Sequence, residues 1–394
     1  MGLQNKLNKL ESYCNHWGLH ININKTKIII FAKKSPKIPL KFYFGSTQIE
    51  VVDSYKYLGV ILDKTGSFSE AQAHLFNQGR KATHGLKNNI FGSNLKTDIV
   101  LKLYDSLISP ITTYAAETWF PYTFNTKSND INCMNKFFAT CISKNFMHDR
   151  LHVNFCRYLL GVNRKSMIVP TLAELGRFPI TLNIIKQTLS YWLHILQSDK
   201  ESILHETYYS MLCSENNCWV LFVKNILKLI GLEHVWLNQH TFSANRLKKV
   251  IQNKLEQKYT QFWHYTKNTK HKLEFYNKYS EQYRIEPYIL NCRDIRKRKR
   301  LTNLKLSCHK LKIETGRYNN TKASERLCSV CNIIENELHF LDFCTKYDFE
   351  RSLFISKIKE TFEYIDKPSD CLNYEETIGH LINYLSNEKF NNIL

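Results

Sequence analysis

The sequence predicts a mainly α-helical protein with a small α+β piece at its N-terminus and a compact cysteine-bearing unit at its C-terminus. Three observations predict this. In 394 residues Gly (13) and Pro (8) are scarce while Tyr (22) and Phe (23) are plentiful, which suits helices packed through aromatic side chains. Apolar residues follow helical spacing from about Phe68 to Leu290, after a stretch where period two dominates. Cys328, Cys331, His339 and Cys344 then cluster within a short span.

The elements follow in chain order. Leu3, Leu7, Leu10, Cys14 and Trp17 form one helical stripe, and Gly18 is placed to end that helix. Ile21 and Ile23 alternate with Asn22 and Asn24, and Lys25-Thr26-Lys27 leads into Ile28 to Phe31, a β-branched run suited to a buried strand. Pro36 and Pro39 mark a loop. Leu40 to Phe44 and Ile49 to Val52 flank Gly45-Ser46 as a hairpin, and Tyr55 to Leu62 reads as a further strand. Residues 1–65 are too few to make a comfortable independent sheet domain and read as one end of a larger α+β unit.

Residues 66–200 form a helical region. Ile99, Leu103, Leu107 and Tyr114 share a helix interrupted at Pro110, and Leu182, Ile185, Leu189, Trp192, Leu193 and Leu196 line one face of another. Residues 201–300 are a helical connector. Within it Leu247, Val250, Ile251, Leu255, Tyr259 and Phe262 point inward, opposite Arg246, Lys248, Lys249, Lys254 and Lys258. A solvated surface and a nucleic-acid contact fit that basic face equally. The connector ends in the densest charge run, Arg293, Arg296, Lys297, Arg298, Lys299, Arg300 and Lys305, opposed only by Asp294. A phosphate-binding arm, a nuclear localisation patch and a solvated linker all fit it. Residues 301–394 hold the cysteine cluster and a last helical segment over about 350–394. There is no internal repeat.

Charge and cysteine usage narrow the function. A net charge of +20 exceeds what solubility needs and indicates a polyanionic partner, RNA or DNA before a membrane surface. The polar start, Met1 to Lys6, lacks a signal-peptide core, and no run reaches the ~18 apolar residues of a membrane span. The expectation is an intracellular chain, nuclear or cytoplasmic, with reduced thiols. Most of its 12 Cys, such as Cys133, Cys141 and Cys156, are then plain buried side chains.

The cluster is the exception. Its spacing is C-x2-C-x7-H-x4-C. Zinc takes tetrahedral thiolate and imidazole ligands, and C-x2-C supplies two thiolates from one turn. With Cys328, Cys331, His339 and Cys344 all protein ligands, no position stays open, so the zinc is structural. A redox C-x-x-C is the lesser alternative and lacks a βαβ context. Polymerase chemistry needs paired carboxylates holding two divalent metals. The chain has no Asp-Asp pair, no Gly-rich phosphate loop and no nucleophile elbow, so neither catalytic residues nor a catalytic divalent metal is expected.

Several phrases together resemble the reverse transcriptases of non-LTR (LINE-type, jockey-like) retrotransposons. Trp17-Gly18-Leu19, Ile21-Asn22, Lys25-Thr26-Lys27 and Ile28 to Phe31 resemble the stretch that follows that family's catalytic Tyr-x-Asp-Asp. Tyr55-Lys56-Tyr57-Leu58-Gly59-Val60 resembles the next motif, on the strand pair that grips the primer end. Tyr114-Ala115-Ala116-Glu117-Thr118-Trp119 is similar to Tyr-Gly-x-Glu-x-Trp, with Ala115 replacing Gly. Phe155-Cys156-Arg157, Glu174 to Pro179, Tyr191-Trp192, Gly316-Arg317-Tyr318 and Arg326 through Tyr347 continue the match in order.

The resemblance implies the end of a reverse-transcriptase palm over 1–65, a helical thumb-like region over 66–200 and a zinc-binding C-terminal region over 301–394. The family's aspartates lie upstream of the resembling stretch, so this chain alone is expected to bind nucleic acid without polymerising. The remaining N-terminal portion of such an enzyme would be a partner. Lys25 or Lys27 would sit where a polymerase lysine protonates pyrophosphate, with strand-edge solvation as the plain alternative. Leu58-Gly59 would approach the primer terminus, with a strand bulge as the alternative. Two other functions compete: a stand-alone zinc-dependent nucleic-acid-binding module, and a zinc-stapled helical scaffold for protein partners.

Overall fold

A computed structural model describes residues 2–32, 40–93, 95–123, 133–143, 146–214, 217–239, 243–292, 294–353 and 356. The first helix, α1 (Gly2–Trp17), ends where Gly18 takes φ +64° and the Leu19 N–H bonds the Cys14 carbonyl at 2.8 Å. Its apolar stripe has little to cover it: Cys14 is buried, while Leu3, Leu10 and Trp17 stay 43%, 42% and 63% exposed. Gln4 docks the helix, donating to the Tyr43 carbonyl (2.8 Å) and accepting from the Tyr43 N–H (2.9 Å).

The sheet beneath α1 has the order β1 (Lys27–Ile28), β3 (Thr47–Val51), β2 (Phe42–Phe44). β1 runs parallel to β3, and β2 and β3 form the antiparallel hairpin across Gly45-Ser46. Ile49 is its one fully buried side chain. The expected buried strand over Ile28 to Phe31 is corrected: only Lys27 and Ile28 pair, and Phe31 is 62% exposed. The Pro36–Pro39 loop lies outside the described residues. The expected single strand over Tyr55 to Leu62 is likewise two strands, β4 (Ser54–Tyr57) and β5 (Val60–Asp63). Leu58 (φ 45°) and Gly59 (φ 88°) form the turn between them. Two positive φ values match the right-handed twist of the strands, and Gly59 takes the conformation without a Cβ clash.

The helical body begins with α2 (Ser69–Ile90), α3 (Thr97–Leu107), α4 (Ser109–Thr112), α5 (Ala116–Trp119), α6 (Met134–Ser143), α7 (Met147–Leu160) and α8 (Ile168–Glu174). Pro110 falls in the first turn of α4, where its missing N–H costs nothing, so the interruption comes between Leu107 and Ser109. The body continues through α9 (Ile180–Gln197), α10 (Ile203–Cys213), α11 (Cys218–Leu229), α12 (Glu233–Leu237) and α13 (Ala244–Thr269). It ends with α14 (Glu274–Tyr279), α15 (Pro287–Asn291) and α16 (Ile295–Lys305).

α9 is the central post, packed on α5, α7 and α13, with Leu182, Ile185, Leu189 and Trp192 wholly buried. Buried indoles keep partners: Trp192 donates to the Tyr208 hydroxyl (3.0 Å) and Trp263 to the Tyr276 hydroxyl (3.1 Å). On α13, Leu247, Ile251, Leu255, Tyr259 and Phe262 face inward as expected. Val250 does not: it sits one position off that stripe and is 38% exposed. Cys141 and Cys156 are buried, but Cys133, at the start of α6, is exposed.

After the body come α17 (Lys312–Tyr318) and a mostly irregular unit reaching residue 353. The helical segment expected over 350–394 lies almost wholly outside the described residues. Among the described residues, no helix is long and apolar enough to cross a membrane.

Candidate metal centre and basic surface

The four ligand candidates come together from two short pieces of backbone. Leu327 and Ile334 pair as an antiparallel bridge, and between them the Ile333 carbonyl accepts from the Cys328 N–H at 2.7 Å. This tight knuckle presents Cys328 and Cys331 on one side. His339 starts a five-residue wide turn (His339–Phe343) whose end is closed by the Cys344 N–H on the His339 carbonyl, 2.8 Å. The Asn336 side chain accepts from the His339 N–H at 2.8 Å and fixes the start of that turn.

The ligand atoms of Cys328, Cys331, His339 and Cys344 all lie within 4.8 Å of one another. The Sγ atoms of Cys328 and Cys344 are 3.8 Å apart, and those of Cys331 and Cys344 are 3.9 Å apart. A tetrahedral zinc with Zn–S of ~2.3 Å puts two sulfurs about 3.8 Å apart. The ring nitrogens of buried His339 have no hydrogen-bond partner outside the cluster, which a metal bond at one of them would answer. Backbone N–H groups of Cys331 and Val330 hold the Cys328 thiol down to about 6, so it ionises readily. Burial instead pushes the Cys344 thiol up, reinforced by the neighbouring Cys328 and Cys331 sulfurs. Several thiolates this close ionise together only around a cation. The cluster can hold a metal ion and is compatible with structural zinc.

The basic run is not an extended arm. Asp294 caps it, accepting from the backbone N–H groups of Arg296 (2.8 Å) and Lys297 (3.3 Å), and residues 295–305 form α16. Arg293 lies outside the described residues. The helix divides the remaining cations. Arg296, Lys299 and Arg300 are exposed, and Lys297 is half-buried. Arg298 turns inward, donating to Thr97 Oγ1 (3.1 Å) and the Ile289 carbonyl (3.2 Å). Lys305, expected on the phosphate-binding surface, is corrected outright: it is fully buried, with Nζ 2.9 Å from Glu174 and 3.0 Å from Glu286. Tyr288 donates to the other Glu174 oxygen at 2.5 Å. An unpaired buried ammonium would be prohibitive, so these carboxylates fix Lys305 inside.

At the N-terminus Lys27 is neutralised across β1 and β3 by Glu50, 2.5 Å away. Lys25 is exposed, and its carbonyl accepts from the Tyr55 hydroxyl at 2.8 Å. Leu58 and Gly59 form the β4–β5 turn, not a bulge. The Tyr114 hydroxyl donates to the Leu58 carbonyl at 2.8 Å, and a Cβ at Gly59 would stand 2.9 Å from the Tyr114 ring.

Two features escaped sequence reading. One is the Lys305–Glu174–Glu286 cluster: Glu174 lies more than a hundred residues before the other two, and no shared period links the three. The other is a basic concavity between α2 and α7. Its members are Arg80 and Lys87 on one side and Arg150, Arg157 and Arg164 on the other. Their seven-residue steps were a signal, since such steps keep residues on one helical face.

No family model matches the chain, and no solved structure matches it. Over 123 residues, 30% of this chain, the sequence is 32% identical to an uncharacterized transposon-derived protein of Caenorhabditis elegans. The match spans 42% of that protein. This likeness supports a transposon-related origin for the chain.

Proposed function

We propose that the chain is the C-terminal part of a non-LTR retrotransposon reverse transcriptase, one that binds nucleic acid and carries no polymerase centre of its own. The observation that carries this reading is the contact between two phrases that resemble that family. Tyr114, which opens the Tyr-Ala-Ala-Glu-Thr-Trp phrase, bonds the Leu58 carbonyl of the Tyr-Leu-Gly turn. The transposon-derived relative supports the origin. The net charge of +20, with Arg296, Lys299 and Arg300 exposed on α16, supports a phosphate-bearing partner. In this reading Cys328, Cys331, His339 and Cys344 hold zinc as a staple, since four protein ligands leave no site for substrate.

The purified chain should bind RNA or DNA strands with an affinity that falls as salt rises, at a slope of about −0.7 per neutralised phosphate for single strands. Replacing Arg296, Lys299 and Arg300 with Gln should flatten the log–log slope by about two and weaken all sequences alike. On a primed RNA template the chain alone should incorporate no nucleotide, because two-metal catalysis needs paired carboxylates. Salt-insensitive binding, or none, overturns the reading.

A further inference from the structure

We infer that the groove between α2 and α7 is a binding track for a single-stranded nucleic-acid segment, continuous with the exposed face of α16. The inference rests on the nucleic-acid reading above and names a surface for it. The groove has a volume of about 440 Å³, and no carboxylate lines it. Cavities of ~300–1,000 Å³ match small ligands in size. A flexible strand can lay its nucleotide units into such a space one after another, whereas a double helix could only cross its mouth.

Its walls carry charge with nothing to neutralise it. Arg80 and Lys87 stand one heptad apart on α2. Arg150 and Arg157 do so on α7, and Arg164 follows one further step on, in the loop after it. Among the described residues none of these cations is ion-paired. Ion pairing is the ordinary fate of crowded cations, as Arg177 with Asp105 and Lys186 with Glu256 show elsewhere in this body. Burial and the repulsion of Arg164 hold the Lys87 amine below its ordinary range, a cost that a bound anion would relieve.

The groove is also pre-organised. Arg157 donates to Ser166 Oγ (3.0 Å) and Asn154 Oδ1 (3.3 Å). The Lys87 ammonium lies 4.6 Å from the centre of the Tyr158 ring, which is 39% exposed and offers a face to a base. Continuity with α16 comes from the loop after α7. The aliphatic stem of Lys299 lies directly over Gly161, and Asn303 donates to the Gly161 carbonyl at 3.0 Å. Exposed Lys299 therefore borders the same loop that carries Arg164.

The test uses the full chain and fluorescently labelled oligo(rU), oligo(dT) and a self-complementary DNA duplex, titrated at several salt concentrations. Arg80→Gln, Lys87→Gln and Arg164→Gln are combined, because none of these side chains holds the fold by a hydrogen bond or ion pair. The expected result is a loss of single-strand affinity of at least about tenfold at low salt and a slope flattened by about two, with unchanged thermal melting. Arg80→Lys with Arg164→Lys should keep the slope, separating charge from shape. The two single-stranded probes tell whether the strand is RNA or DNA. An unchanged slope in the Gln variant, while α16 variants still lose affinity, overturns the groove and leaves the nucleic-acid reading standing. Loss of duplex affinity equal to that of single strands overturns the single-strand assignment. No binding by the unmodified chain overturns both.

Discussion

The helical body and the C-terminal unit keep their shapes with different materials. Between residues 69 and 306 the interior is aromatic and aliphatic, with Trp119, Trp192, Trp263, Phe155 and Leu189 among its fully buried members. Fully burying side chains of this kind is worth roughly 1.5–3 kcal/mol apiece for Val to Phe sizes. After Leu306, the buried residues among those described are Cys328 and Cys344 together with Ser307, Glu314, Gly316, Glu337, His339 and Asp342. Among the described residues that unit has no oily core. Glu314 is held by Lys272 of the body, and Glu337 accepts from Ser307 and His309, both at 2.8 Å. The body could lose one contact and stay folded. The unit depends on charges and on whatever joins four ligand atoms.

The sharpest way to break the two apart is to remove the zinc proposed for the Cys328, Cys331, His339 and Cys344 cluster. Structural zinc contributes about 10–16 kcal/mol in zinc-finger peptides, far more than any single contact. A strong chelator, or Cys344→Ser, should strip hydrogen-exchange protection from residues 312–347 while protection on α9 and α13 survives. Elemental analysis should give one zinc per reduced chain before chelation. If protection is lost uniformly, the two regions share one cooperative unit and the contrast fails.

The next largest effect should come from the place where the body relies on fully buried charge. Lys305→Ala leaves Glu174 and Glu286 buried without a cation, which typically costs about 3–5 kcal/mol. Burial and the nearby Glu174 charge already push the Glu286 carboxyl up, so it has no reserve against losing Lys305. Urea denaturation of the body should show the loss. A change near zero would mean that water reaches the cluster.

Acid should act on the body more mildly. Burial among Trp119, Phe146 and Phe76 pushes His148 down to about 4 from its ordinary 6.5. A base whose folded value is depressed takes its proton first in the unfolded chain. Stability from this group is therefore complete above about pH 6.5 and lost as pH falls toward 4, about 2 kcal/mol between roughly pH 7 and pH 5. His148→Phe should flatten that part of the pH–stability curve of the body, read by tryptophan fluorescence. An unaltered slope would place the proton uptake elsewhere, with buried His152 the next group to replace.

Legibility divided along the same line as stability. The stripes of α9 and α13 and the Cys–His spacing were readable because each depends on residues close in sequence, with one period or one turn to recognise. Lys305 was not readable. It ends a helix that begins with the basic run 296–300, and only the arrival of Glu174 from a distant element, beside Glu286 at the start of α15, decides that it points inward. The β4–β5 turn is hidden for a related reason: Tyr55 to Leu62 is apolar enough to run straight through, and Leu58 gives no turn signal. The Ile28 to Phe31 run shows the converse. Its β-branched residues favour a strand, but the sheet offers a partner only at Lys27 and Ile28, so propensity had nothing to pair with.

The smallest effect should come from the turn that ties the N-terminal sheet to the body. Gly59→Ala keeps every hydrogen bond donor and acceptor, yet Ala must adopt φ +88° with its Cβ 2.9 Å from Tyr114 Cε1. The ring can swing a few tenths of an ångström at the cost of its bond to the Leu58 carbonyl, so the expected loss is about 1 kcal/mol. Because the sheet buries little beyond Ile49 and Cys14, that loss should not lower the melting point of the body. It should appear as faster proteolysis between residues 53 and 68, with α9 protected as before. Tyr114→Phe removes the bond and keeps the ring, so it should reproduce part of the effect. Equal proteolysis of both variants and the unmodified chain would show that the hairpin is held by its own strands, and the tie through Tyr114 would then be a contact without consequence.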